Sequence, residues 1–264
     1  MRFKRHAFSI VATFVVAATP AGASGSGGAV DAEWVAALKS GATAELAVLL
    51  ERGADPDVAT SNGKTGLMLA SQKPDAGLAE ALVAAGADVN ARNNNGGTAL
   101  MYAAMVDDPT VTELLIRAGA NVEIKAKLGW TALLVAAVKG HSGPTRSLLA
   151  AGADVNGRDA YGWTALMRAV NGGHVDVVAM LLENDAVSLD ATQETGATAL
   201  HIAAARGYDQ IAAMLVERGA DTSLRDQSQR TASEVASEAG FAGLSAMLAD
   251  ALGRQRSHAR SDSG

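Results

Sequence analysis

Apolar residues along this chain come in paired short runs, each pair opening on a threonine and closing on a leucine, with Gly, Asp and Asn between them. The openers are Thr65, Thr98, Thr131, Thr164, Thr198 and Thr231, separated by 33, 33, 33, 34 and 33 residues. The same interval before Thr65 falls on Ala32, so a degenerate first unit starts near Asp31 and the chain holds seven units. A fixed period of this length marks a stack of supersecondary units, each burying its apolar face only against its neighbours.

Each column has a mechanical reading. A threonine ahead of an apolar run can cap a helix by accepting from a free N–H of the first turn. Five residues later stand Ala37, Ala70, Ala103, Ala136, Ala169, Ala203 and Ala236, methyl groups that let helices approach closely. Seventeen residues after the threonine column, Leu49, Leu82, Leu115, Leu148, Leu181, Leu215 and Leu248 anchor a second helix. Two residues before the threonine, Gly63, Gly96, Gly129, Gly162 and Gly196 suit a tight hairpin tip that needs a positive φ, and Gln229 replaces glycine in the last unit. Gly53, Gly86, Gly119, Gly152 and Gly219 suit left-handed ends of the second helix. Each unit is therefore predicted to be hairpin, helix, turn, helix. Asp185 stands where glycine closes the other second helices, and the turn from Val187 to Ala197 is predicted to hold the extra residue of the 34-residue interval.

Gly-Trp-Thr-Ala-Leu at 129–133 and 162–166, Ala-Ala-x-x-Gly-His, Leu-Leu and Gly-Ala-Asp-Val-Asn together resemble the ankyrin repeat. The resemblance covers residues 31–253 and implies an all-α solenoid of about seven hairpin-helix-turn-helix units, degenerate caps included. The family's Thr-Pro-Leu-His is altered. Proline is replaced by Ala99, Ala132, Ala165 and Ala199, histidine by Met68, Met101, Leu134 and Met167, and only Thr198-Ala-Leu-His201 keeps the histidine. The substitution removes a polar link to the hairpin and adds apolar packing, which the fold is expected to survive. The end units differ as caps should, with Trp34 and Ser233 where inner units carry leucine.

Residues 1–23 read as an export signal: a basic start (Arg2, Lys4, Arg5), an apolar run from Ala7 to Ala18, and a small-residue cleavage site ending at Ala23 before Ser24. The run is shorter than the roughly 20 residues that span a bilayer, so no stable membrane insertion is expected after cleavage. Residues 24–30 are expected to be a flexible leader and 254–264 a flexible tail. The Ala/Gly-rich style points to the periplasm, otherwise to secretion.

With no cysteine there is no disulfide, thiol nucleophile, thiolate metal site or lipid-bearing cysteine. The net charge of −6 becomes −9 without Arg2, Lys4 and Arg5, and −11 without the tail as well. So acidic a chain is not expected to bind nucleic acid. His141 and His174 sit in neighbouring layers about 10 Å apart, too far to share a metal at ~2 Å bonds; the resemblance implies a structural role for them, and His201 is expected to brace a hairpin. Gly63-Lys64-Thr65 imitates the end of a phosphate loop, but Val58 stands where that loop needs its first glycine. Asp55, Asp88, Asp154 and Asp221 repeat with the period and so belong to the fold. No catalytic residue, cofactor or metal is expected.

The resemblance implies a protein partner held on the concave face and hairpin tips. Trp130 and Trp163, with Leu128 and Tyr161 two residues before them and Tyr102 on a first helix, are expected to form one patch flanked by Lys127 and Arg168. Alternatives are an escort or protective factor for an exported enzyme, or an enzyme or small-molecule binder with its site in the groove. Oligomeric state and partner identity are not encoded in any motif.

Overall fold

The computed structural model describes residues 27–261, with side chains described to residue 257. The expected signal segment and the Ala23/Ser24 junction lie outside the described residues. The described residues form seven helix pairs: α1 (Gly27–Ser40) with α2 (Thr43–Glu51), α3 (Gly66–Ala70) with α4 (Gly77–Ala84), α5 (Ala99–Ala103) with α6 (Pro109–Arg117), α7 (Ala132–Lys139) with α8 (Ser142–Ala150), α9 (Ala165–Gly172) with α10 (Val175–Leu182), α11 (Ala199–Arg206) with α12 (Asp209–Glu217), and α13 (Ala232–Glu238) with α14 (Ala242–Ser261). From α3 to α13 the first helices of successive pairs pack in one layer. Second helices form the layer behind, α6 on α8, α8 on α10 and α10 on α12.

All six threonines cap their helices, each accepting from the N–H three residues on, and all are buried. The alanine column is at most 1% exposed, which is what lets one first helix rest directly on the next. First helices run seven or eight residues where glycine follows at 140, 173, 207 or 240, but only five in α3 and α5, where Pro74 and Asp107 occupy that place. Gly140 shows why glycine is needed: its φ is 75°, and a Cβ there would lie 2.4 Å from Nδ1 of His174. The first cap is fitted by a matched pair. Trp34 is fully buried and donates from Nε1 to the Val58 carbonyl at 3.0 Å, and the Cβ missing at Gly66 would stand 2.9 Å from its ring.

A ladder of side chains ties successive units together. Asp57 Oδ1 accepts from Asp88 N–H, Asn90 from Asn121, Asn156 from Ser188 and Asp190 from Asp221; Glu123 does the same for Asp154. Asp55, Asp88, Asp154 and Asp221 accept from the N–H two residues on, so their recurrence is turn chemistry.

Three expectations need correction. The leader does not extend to residue 30: α1 starts at Gly27, and Val30 packs against the core. The tail is not loose from residue 254, because α14 runs to Ser261 and Gln255 ends the ladder, accepting from Thr222 N–H at 3.1 Å and donating to the Ala220 carbonyl at 2.9 Å. The extra residue is not within 187–197. Before the final Gln255 clasp, ladder bonds span 31 residues except Asn156 to Ser188, which spans 32, while Leu181 keeps its distance of 33 from Leu148. The insertion is therefore at the end of α10. That helix stops at Leu182, Asn184 Oδ1 accepts from Ala186 N–H, and Asp185 does not adopt a positive φ.

Candidate functional site

Hairpin tips stack in register through one backbone bond per neighbour: Asn94 N–H to the Asn62 carbonyl, Lys127 to Asn95, Ala160 to Leu128, Glu194 to Tyr161 and Gln227 to Thr195, all at 2.8 to 3.1 Å. Each hairpin is also pinned from within. Five residues before the threonine, Thr60, Asn93, Asp159, Gln193 and Asp226 accept from N–H groups of their own loop. Only Ala126 cannot. There the tip takes another shape: Leu128 adopts φ 60°, ψ 21° directly before Gly129 at φ 77°, and its side chain is 54% exposed. Left-handed backbone costs a branched apolar residue about 1–2 kcal/mol, so an exposed leucine sits on a strained tip, a cost that among the described non-glycine residues only Gln229 of the last hairpin shares.

Beside that tip, the Arg168 guanidinium lies over both tryptophan rings, 4.6 Å from the centre of Trp163 and 4.9 Å from that of Trp130. It is ion-paired to Asp159, whose side chain is wholly buried and whose Oδ1 accepts from Tyr161 and Trp163 N–H. Arg168 Nε is buried without a hydrogen-bond partner, as expected of a group enclosed by ring faces. Its place is thus at the centre of the cluster, not at the rim where the sequence put it. Trp130 and Trp163 are half-buried against the core, while Leu128 and Tyr161 remain exposed.

Tyr102 and Lys127 make separate contacts. The Tyr102 hydroxyl accepts from Asn93 Nδ2 at 2.9 Å and its ring lies under Lys64 at 5.8 Å; Lys127 Nζ donates to Asn95 Oδ1 at 3.0 Å. The structure joins Trp130, Trp163 and Arg168, with Leu128 and Tyr161 on their outer side, and leaves Tyr102 in a different contact set. Asp159 was missed from sequence. The signal was the acceptor column five residues before the threonine, filled in five units of six.

Further along the groove, an open cleft of about 190 Å³ is lined by Trp163, Thr195, His201, Arg206, Asp226 and Arg230. Ligand pockets usually measure about 300–1,000 Å³. Burial pushes the Asp226 carboxyl up, but hydrogen bonds from the Arg230 side chain and backbone, the Arg230 charge and the Ser228 N–H outweigh it and hold the group below the usual carboxylate range. The histidines are structural: His141 Nδ1 meets the Ala104 carbonyl and His174 Nε2 the Val138 carbonyl, both at 3.1 Å. His201 completes a capping box with Thr198 and reaches the Arg230 carbonyl at 3.0 Å. Among the described residues no group of three or more His, Asp or Glu could hold a metal ion, and no helix is long and apolar enough to cross a membrane.

A family model described as ankyrin repeats matches the chain over residues 34–126, 104–193 and 145–226. No curated protein matches the chain.

Proposed function

Since the chain belongs to the ankyrin repeat family, whose repeats are protein–protein interaction modules, we propose that it holds one protein partner on the hairpin tips and first helices of its fourth and fifth units. The observation that carries this reading is the pair of exposed side chains, Leu128 and Tyr161, held at adjacent tips beside the braced Trp130–Arg168–Trp163 cluster. Aromatic and aliphatic anchors with arginine at the centre of a patch have the composition of binding hot spots. The chain works outside the cytoplasm, in the periplasm, after removal of residues 1–23, and intact mass of the exported form starting at Ser24 tests that part.

The binding test separates contact from folding. Leu128→Ala with Tyr161→Ala removes exposed atoms and leaves the tryptophan cluster in place; Val48→Ala, 54% exposed on α2, is the control. Immobilised protein is offered the exported fraction of the source cells. One protein retained in equal amount, lost with the double variant and kept by the control, is expected, with melting unchanged. Equal retention by the double variant overturns the assignment of this patch.

A further inference from the structure

Charge on this acidic chain is sorted by face. The hairpin and first-helix stretches of units two to five, residues 58–73, 91–106, 124–139 and 157–172, carry eight Lys or Arg and one acid, the buried Asp159. The stretches behind them, 74–90, 107–123, 140–156 and 173–190, carry twelve Asp or Glu and two Arg. The net charges are +7 and −10, so the overall value of −6 conceals two faces of opposite sign.

Few of these cations are neutralised. Among the described residues, only Arg168 of the eight cations on the hairpin side is ion-paired. Arg92, Lys125, Lys127 and Arg158 are exposed along the row of tips. Those that make contacts use neutral groups: Arg92 donates to the Lys125 carbonyl, Arg158 to the Thr192 carbonyl and Lys127 to Asn95. These bonds hold the cations along the row without cancelling their charge. Lys73 and Lys139, at the ends of first helices, are exposed too. Tips in register make the field a continuous stripe, and Leu128 and Tyr161 lie within it.

We infer that the occupant of this face is an acidic protein segment, in which Asp and Glu side chains flank one or two apolar anchors. The inference rests on the reading that the tips bind protein, and it adds the partner's chemistry. A nucleic acid would offer negative charge as well, but its bases bind by stacking on free aromatic faces, and Arg168 already lies over the rings of Trp130 and Trp163. An aliphatic Leu128 at the centre of the stripe fits a side chain better than a base. Opposed charge of this kind governs encounter and orientation, and it weakens with salt.

The test selects from a random displayed peptide library on the immobilised full chain, then titrates the selected peptides against variants. Selected sequences enriched in Asp and Glu around apolar residues are expected. Their binding should weaken roughly tenfold or more in the folded variant Arg92→Glu/Lys127→Glu/Arg158→Glu, as three reversed exposed charges predict, and in part with glutamine at the same positions. Raising salt until the Debye length falls from about 10 Å to about 3 Å should weaken it too. Arg117→Glu with Arg146→Glu, behind the stripe, should change nothing. Peptides without charge bias that still need Leu128 and Tyr161 overturn the acidic partner and leave protein binding standing. Peptides indifferent to both sets of variants, or none at all, overturn both. An oligothymidine strand bound as tightly as the acidic peptides, and released by the same charge reversal, overturns the inference in favour of nucleic acid.

Discussion

Replacing Arg168 by methionine tests whether the tryptophan cluster is held by charge. The Asp159 side chain is fully buried and that of Arg168 is 16% exposed. Removing one member of a buried pair usually costs about 3–5 kcal/mol, because the other charge is stranded. Two features place the cost at the low end. Asp159 keeps its bonds from Tyr161 and Trp163 N–H at 2.8 and 3.0 Å, and methionine still covers the rings, returning about 0.3–1.5 kcal/mol of sulfur–aromatic contact against a cation–π loss of about 0.5–2 kcal/mol. The net expectation is about 3 kcal/mol, or a melting temperature lower by about 6–12 °C for a chain of this size. Urea titration followed by circular dichroism and tryptophan fluorescence measures it. Asp159→Asn in the same chain should recover a large part, since asparagine keeps an acceptor and strands no charge; the double-mutant cycle should give a coupling of about 2 kcal/mol. A loss below about 1 kcal/mol for Arg168→Met, with coupling inside the usual additivity error of about 0.5 kcal/mol, would refute the view that the pair organises these two units.

Gly152→Val places a β-branched residue at φ 83° in open space and should cost about 1–2 kcal/mol through the backbone alone, whereas Asp185→Gly, lacking a left-handed residue to relieve, should move stability by less than about 0.5 kcal/mol; thermal melts of the pair decide. His201→Met should cost only about 1 kcal/mol, because the Arg230 carbonyl it releases still accepts from Asp226 N–H at 2.9 Å; a loss above roughly 3 kcal/mol would show that the histidine does more than cap. Asp226 is held below the ordinary carboxylate range, so its contribution is present above that range and disappears as pH falls through its lowered value. Asp226→Asn should therefore be less stable than the parent at neutral pH, and urea midpoints taken at falling pH should converge.

Thr65 and Gly129 announced their places because one residue type meets one local demand at a fixed interval: a cap oxygen, a positive φ. Gln229 shows the limit of that logic, since it adopts φ 61° at the glycine position and passes in sequence for a broken column. The end of α10 was misplaced because an aspartate can accept a left-handed turn, and only the register of the ladder shows that the chain instead ends the helix early. Arg168 was legible as a neighbour of Trp163 but not as its partner. Residues five and nine positions apart meet there only because the hairpin folds Asp159 beneath the helix. The division of charge was written in the sequence throughout, yet it becomes visible only when the alternate stretches of each period are assigned to two faces.

The ladder ending at Gln255 also sets how this chain can reach its native state. Its clasps join residues 31 to 35 apart, so the sequence separation that must be closed is about one unit, whatever the number of units. Folding slows as contacting residues lie farther apart along the chain. Here that distance does not grow with length. Any two adjacent units that have emerged from synthesis can clasp before the rest exists, and lengthening the protein by a unit would add surface for a partner without adding a longer search.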